Sequence, residues 1–123
     1  MKFFNKPNVI PPSTELNTSF NSAVVPLTNV FNYAIQIVFT GTPTGLFHLQ
    51  SSCDTDTPAN LINPDNMNWT DIANSDFSVS AAGNVEWNVD GAGYTWVRVV
   101  YTDGSGGTST AVVTSATFNG KGF

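Results

Sequence analysis

From Tyr33 to Thr40 the side chains alternate with a period of two. Tyr33, Ile35, Ile37 and Phe39 fall on one side, and Ala34, Gln36, Val38 and Thr40 on the other. Successive side chains of a β-strand point to opposite faces, so the pattern specifies a strand with one buried face. It recurs along the chain. Phe47 and Leu49 share a face of Leu46–Ser52, Val85, Trp87 and Val89 share a face of the next long strand, and Val97, Val99 and Tyr101 share a face of Tyr94–Thr102. Shorter strands are expected at Val24–Val25, Trp69–Ile72 and Phe77–Ser80, and a last long one at Thr108–Phe118. Turn-forming clusters separate them, and the one at 103–107 opens with Asp103-Gly104 and reads as a hairpin loop. About eight strands at roughly 8–12-residue spacing, with no helical period, predict an all-β fold, an antiparallel β-sandwich or jelly roll. Alternation places Ile35, Ile37, Phe39, Phe47, Leu49, Trp87, Val97 and Val99 in its core.

Two segments stand apart. Residues 1–29 carry Pro7, Pro11, Pro12 and Pro26. Proline removes a ladder donor, so this stretch cannot be a central strand. It is expected to be an extended N-terminal arm, with the sandwich domain spanning 30–123. Phe3, Phe4, Val9, Ile10 and Phe20 are its candidate anchors onto a neighbouring subunit or another protein; the alternative is that it folds back along its own sandwich. The strand Tyr94–Thr102 is apolar on both faces, because Trp96 and Val100 lie opposite Val97, Val99 and Tyr101. Such a strand is covered on both sides or faces another subunit.

With 123 residues the chain holds one core. Its four cations, Lys2, Lys6, Arg98 and Lys121, are outnumbered by nine anions. Nucleic-acid affinity comes largely from Lys and Arg neutralising phosphates, so a nucleic-acid partner is excluded. An anionic membrane surface is disfavoured on the same grounds. No apolar run reaches the ~20 residues of a membrane helix. Asn5, Lys6, Pro7 and Asn8 interrupt the N-terminus before a signal peptide's apolar stretch could form. Cys53 is the one cysteine, which excludes an internal disulfide.

Catalytic patterns are missing. His48 lies between Phe47 and Leu49, hence on the outer face, and no second histidine exists to join it. No cofactor is expected. Asp54, Asp56 and Asp65 lie in one long polar loop and are the candidate calcium ligands, since calcium takes six to eight oxygens. The competing reading is that Asp and Asn start turns by bonding their own backbone. Trp69, Trp87 and Trp96 are candidates for a sugar-stacking platform, although Trp87 belongs to an inward row.

An ordered series of segments adds a resemblance: Gly45–Asp54, then Asn68-Trp69-Thr70-Asp71-Ile72, then Tyr94–Thr102 with Arg98-Val99-Val100-Tyr101, then Gly104-Ser105-Gly106-Gly107-Thr108. Over roughly residues 34–118 the chain resembles small β-sandwich virion structural proteins of bacteriophages, and the cadence is similar to discoidin-type carbohydrate-binding sandwiches. It departs from them at Cys53–Asn68, where a longer loop stands, so no binding residue is carried over. The resemblance implies a β-sandwich that acts by self-assembly as a minor capsid, decoration, spike or tail component. It also implies synthesis in the host cytoplasm, residence in the virion, and partners that are other virion proteins and further copies of the chain, a trimer among the options. The alternative is a carbohydrate- or calcium-binding module for cell-surface recognition.

Overall fold

The computed structural model describes residues 2–55, 60 and 62–122. Its strands are β1 (Lys2–Pro7), β2 (Phe20–Asn21), β3 (Val25–Pro26), β4 (Val30–Thr40), β5 (Gly45–Ser52), β6 (Thr70–Asp71), β7 (Phe77–Val79), β8 (Gly83–Val89), β9 (Trp96–Asp103) and β10 (Val112–Gly122). They form two antiparallel sheets. The first has the order β1-β10-β4-β8; the second has the order β2-β9-β5-β6, with β3 beside β2 along β9 and β7 beside β6 along β5.

Counting β2 with β3, and β6 with β7, as single positions leaves eight. They run 1-8-3-6 across the first sheet and 2-7-4-5 across the second. Position 1 pairs with 8, 2 with 7, 3 with 6 and 4 with 5. This is one long antiparallel hairpin wound around a common core, the jelly roll. Of the connections, only the one from β5 to β6 joins neighbours within a sheet; the others cross between sheets.

The alternating rows meet between the sheets. Ile35, Ile37, Phe47, Leu49 and Val97 are fully buried, and Val99, Phe39 and Trp87 nearly so. Phe47 is central: its ring lies 4.7 Å from Tyr101, 6.0 Å from Phe39 and 6.5 Å from Trp87. The Tyr101 hydroxyl donates to the carbonyls of Leu16 and Thr44. Gly45 lets this happen, since a β-carbon there would stand 2.3 Å from that hydroxyl.

The segment read from the sequence as an arm belongs to this roll. β1 pairs with β10 from Lys2↔Gly122 to Pro7↔Thr117. Asn8 turns the chain with a left-handed φ of 58°, a conformation Asn tolerates better than most residues. Beyond it, Val9, Ser13 and Leu16 donate backbone hydrogen bonds to β10 and the residues before it, while Pro11 and Pro12 break the ladder between them. Val9, Ile10 and Leu16 are buried in the domain's own core. β2 and β3 then form the outer position of the second sheet, against β9. The contacts therefore mark no division at residue 29.

Both outer positions of the second sheet are interrupted, and a buried serine repairs each gap. Between β2 and β3, the Ser22 hydroxyl accepts from the Val99 amide at 2.8 Å, and the Ser22 amide donates to the Val99 carbonyl at 2.8 Å. Between β6 and β7, the Ser75 hydroxyl accepts from the Leu49 amide at 3.0 Å. Each side-chain oxygen stands in for a missing ladder carbonyl, so the inner strand keeps its amide satisfied. Short, broken edge strands are also poor templates for pairing with another chain.

The last two strands differ from expectation. The Asp103-Gly104 turn does not close a hairpin, because β9 and β10 lie in different sheets. The Asp103 carboxylate instead accepts from the amides of Ser105 and Gly107 and from the Ser105 hydroxyl, shaping a loop between the sheets. These bonds hold the carboxyl below its ordinary pKa. The final strand accordingly begins at Val112 rather than Thr108, and it runs on to Gly122.

Two outcomes test this account. Ser22→Ala removes the acceptor for a buried amide and is expected to cost roughly 1–3 kcal/mol in denaturant unfolding, with an unchanged circular dichroism spectrum. Deletion of residues 2–22 strips β1, Ile10 and Leu16 from the roll. The truncated chain is expected to lose cooperative thermal unfolding altogether; a sharp transition in it would show that the segment is dispensable to the fold.

Candidate functional site

A connected network of polar side chains sits on the outer face of the second sheet. β9 presents Trp96, Arg98 and Val100 there, and the paired residues of β5 are Ser52, Gln50 and His48. The long loop after β5 folds over this face. It carries the 3₁₀ turn Pro64–Asn66 and returns through Trp69 to β6.

Arg98 anchors the arrangement. Its Nε donates to Gln50 Oε1 at 2.8 Å, and its Nη1 donates to Asp65 Oδ1 at 2.8 Å. Its guanidinium carbon lies 4.2 Å from the centroid of the Trp69 ring. The network continues through Gln50, whose Nε2 donates to Asp71 Oδ1 at 2.9 Å, to His48, whose Nε2 lies 3.2 Å from the same oxygen. The Asp71 carboxyl is held below its usual range, chiefly by the Gln50 hydrogen bond and further by His48. The Trp96 indole donates to the Asp54 carbonyl and the Trp69 indole to the Pro64 carbonyl. Trp96 and Met67 are buried, yet both stand outside the main core cluster. They belong to a second, thin layer between sheet and loop.

Of the two readings of the doubly apolar strand, covered on both sides or facing another subunit, this layer supports the first. The chain covers that row itself: Arg98 is only 8 % exposed, beneath Trp69 and Asp65. The rest of the network is structural in the same way. His48 lies on the outer face, as alternation placed it, but its side chain is only 12 % exposed and its Nδ1 has no hydrogen-bond partner among the described residues.

Two of the three candidate calcium ligands, Asp54 and Asp65, are engaged by other groups of the chain. Asp54 accepts from the Asn68 amide through Oδ2, and Asp65 is engaged by Arg98. Asp56 lies outside the described residues. No group of three or more His, Cys, Asp or Glu side chains placed to hold a metal occurs among the described residues. The three tryptophans form no platform: Trp87 is in the core, Trp96 is buried under the loop, and Trp69 is half-buried over Arg98. Cys53 is exposed.

The candidate anchors divide. Val9 and Ile10 are core residues and so are closed to any neighbour. Phe4 and Phe20 are half-buried against the core, Phe20 with its ring 5.5 Å from Tyr101. Phe3 alone of the five projects outward, at 74 % exposed. Its ring lies 5.9 Å from the Lys121 ammonium, at the rim of a groove on the outer face of the first sheet. Sequence reasoning passed over that groove, because its residues come from four strands scattered over the whole chain.

Comparison with known proteins bears on the fold. No protein-family model matches the chain, and no curated protein sequence matches it. Among solved structures, the SPBc2 prophage-derived protein YomS aligns with a TM-score of 0.55 at 9 % identity, over 98 % of this chain and 95 % of that one. The Tobacco streak virus coat protein aligns with a TM-score of 0.48 at 8 % identity, over 98 % and 86 %. A dimer of that coat protein gives 0.44 at 9 % identity, over 98 % and 85 %. The likeness to YomS is a shared fold, and it extends over nearly the whole of both chains. No helix of the described residues is long and apolar enough to cross a membrane.

Replacing Arg98 with Met keeps much of the apolar stem but removes two charge-assisted hydrogen bonds and the cation over Trp69. The variant is expected to lose roughly 1.5–3 kcal/mol of stability. Its strand signal in circular dichroism should persist, while protease sensitivity rises in the loop between β5 and β6. A protected loop in the variant would mean that Arg98 does not hold it down.

Proposed function

We propose that this chain is a structural subunit of a virus particle, phage-encoded, that acts by self-association and not by catalysis. The observation that carries the reading is the jelly roll itself. The strands of the described residues form a single roll, and the fold likeness to a prophage-derived protein covers 98 % of this chain and 95 % of that one. Jelly rolls recur as capsid building blocks because a closed, rigid sandwich can present its outer faces and loops to neighbours without rearranging. The polar side chains of the second sheet fit this reading: Arg98, Asp65 and Asp54 are engaged in bracing a loop.

In this reading the subunit is made in the host cytoplasm and resides in the virion as a minor capsid, decoration, spike or tail component. It contacts other copies of itself, a trimer being the preferred state, and further virion proteins. Half-buried Phe4 and Phe20 belong to the subunit's own packing, so contacts are made by the exposed faces and loops rather than by a detached arm. The experiment is sedimentation velocity of the purified chain over a wide concentration range, together with mass spectrometry of purified particles. A concentration-dependent oligomer and a fixed copy number per particle are expected. A monomer at every concentration, absent from particles, would overturn the proposal.

A further inference from the structure

The first sheet carries an open groove of about 500 Å3 on its outer face. That volume falls within the roughly 300–1,000 Å3 of ordinary small-molecule sites. Two cross-strand rows build it. One runs Phe3–Lys121–Asn32, and the next runs Asn5–Asn119–Ala34–Asn88. Ala34 is the one small side chain in a row of asparagines, so the surface dips between Asn119 and Asn88. Asp90 closes the far side.

The lining is carboxamide. Asn5 Nδ2 donates to Asn119 Oδ1 at 2.6 Å. That bond leaves one amide oxygen and one NH2 group of the pair free, whichever way the two amides are assigned. Asn32 Oδ1 accepts from the Gly91 amide at 3.0 Å, which leaves its NH2 group. Asn88 makes no side-chain hydrogen bond among the described residues. The groove thus offers several donors and acceptors close together, on a rigid four-stranded floor.

Its charge is balanced, with Lys121 against Asp90. An anionic polymer needs clustered cations and a basic peptide needs clustered carboxylates; neither is present here. What fits is an uncharged ligand rich in groups that both donate and accept. Hydroxyls do so, and amides answer them in both senses. Phe3 adds an exposed aromatic face at the rim, steadied by Lys121. A ligand with an apolar face beside its hydroxyls, as a pyranose ring has, would cover it.

We infer that this groove binds neutral glycans, with Phe3 as the stacking surface and Asn5, Asn32, Asn88 and Asn119 as the hydrogen-bonding groups. The inference does not depend on the virion role. Binding at one groove is weak, with Kd on the order of 1 mM, because each new hydrogen bond replaces one to water; several copies in an assembly would raise the avidity.

The test is a glycan array of neutral, sialylated and sulfated glycans, probed with the full chain and with the double variant Phe3→Ala/Asn88→Ala, each displayed in many copies on one inert carrier so that retention at a millimolar site does not require the chain to assemble by itself. Phe3 is exposed and Asn88 makes no side-chain hydrogen bond among the described residues, and matched melting curves verify that the variant is folded. Retention of neutral glycans by the wild type is expected. In the variant it should fall by about tenfold or more, the equivalent of losing one or two hydrogen bonds. Retention of no neutral glycan, retention that follows negative charge, or equal retention by the folded variant would each overturn the inference. Occupation of the groove by a second copy would overturn it as well, and would appear as a variant that sediments as a smaller species than the wild type. Particle association is read separately, so the assembly reading and the glycan site can fail one without the other.

Discussion

The structure depends on antiparallel pairing between the two ends of the chain. β1 lies along β10 for its full length, and the stretch from Val9 to Leu16 continues against the same strand where the prolines allow. Once the ends are paired, each pair of positions further in can pair as well, down to β5 with β6 and β7. The winding of that long hairpin creates the two sheets. It also brings Leu16 to the aromatic cluster around Phe47, where its carbonyl accepts from the Tyr101 hydroxyl across 85 positions of sequence. Contacts this distant in sequence carry a high loop-closure entropy, so such a fold forms slowly and cooperatively.

Polar atoms finish what the ladder leaves open. Ser22 and Ser75 supply hydroxyl oxygens where the outer positions of the second sheet break, and Tyr101 ties the core to Leu16 and Thr44. Outside the core, Arg98 holds a loop across its own sheet. A guanidinium suits this place because its planar fork can bond Gln50 and Asp65 while its face lies on Trp69. The result is a domain whose second sheet is covered on both faces, while the first sheet keeps an open outer surface.

Local pattern carried much of the architecture. The strict alternation in Tyr33–Thr40 and at Phe47, Leu49, Trp87, Val97 and Val99 fixed which side chains meet, because a strand has one period and only one face can be apolar without cost. The candidate site was less legible. Asp54 and Asp65 share a loop, which suggested a common ligand, but a loop's length says nothing about where its carboxylates point. One took a backbone amide and the other took Arg98. The asparagines of the groove gave no signal at all. Asn5, Asn32, Asn88 and Asn119 are unremarkable as isolated strand residues, and they become a surface only when four strands are laid side by side.

The sequence by itself determined that the chain forms strands, where most of them run, and which face of each is buried, because side-chain periodicity and turn chemistry act over a few residues. Tertiary structure alone decided which strands are neighbours. The Asp103-Gly104 turn has the local chemistry of a hairpin, yet it links two sheets, since a turn sets a reversal of direction and not the partner that follows. The prolines of residues 1–29 correctly barred a central strand. They did not bar an edge position, where one side of the backbone needs no partner and short runs between prolines can still pair. Whether that segment lies free or closes the roll turns on the apolar surface that Val9, Ile10 and Leu16 bury against residues a hundred positions away, and no local pattern holds that information.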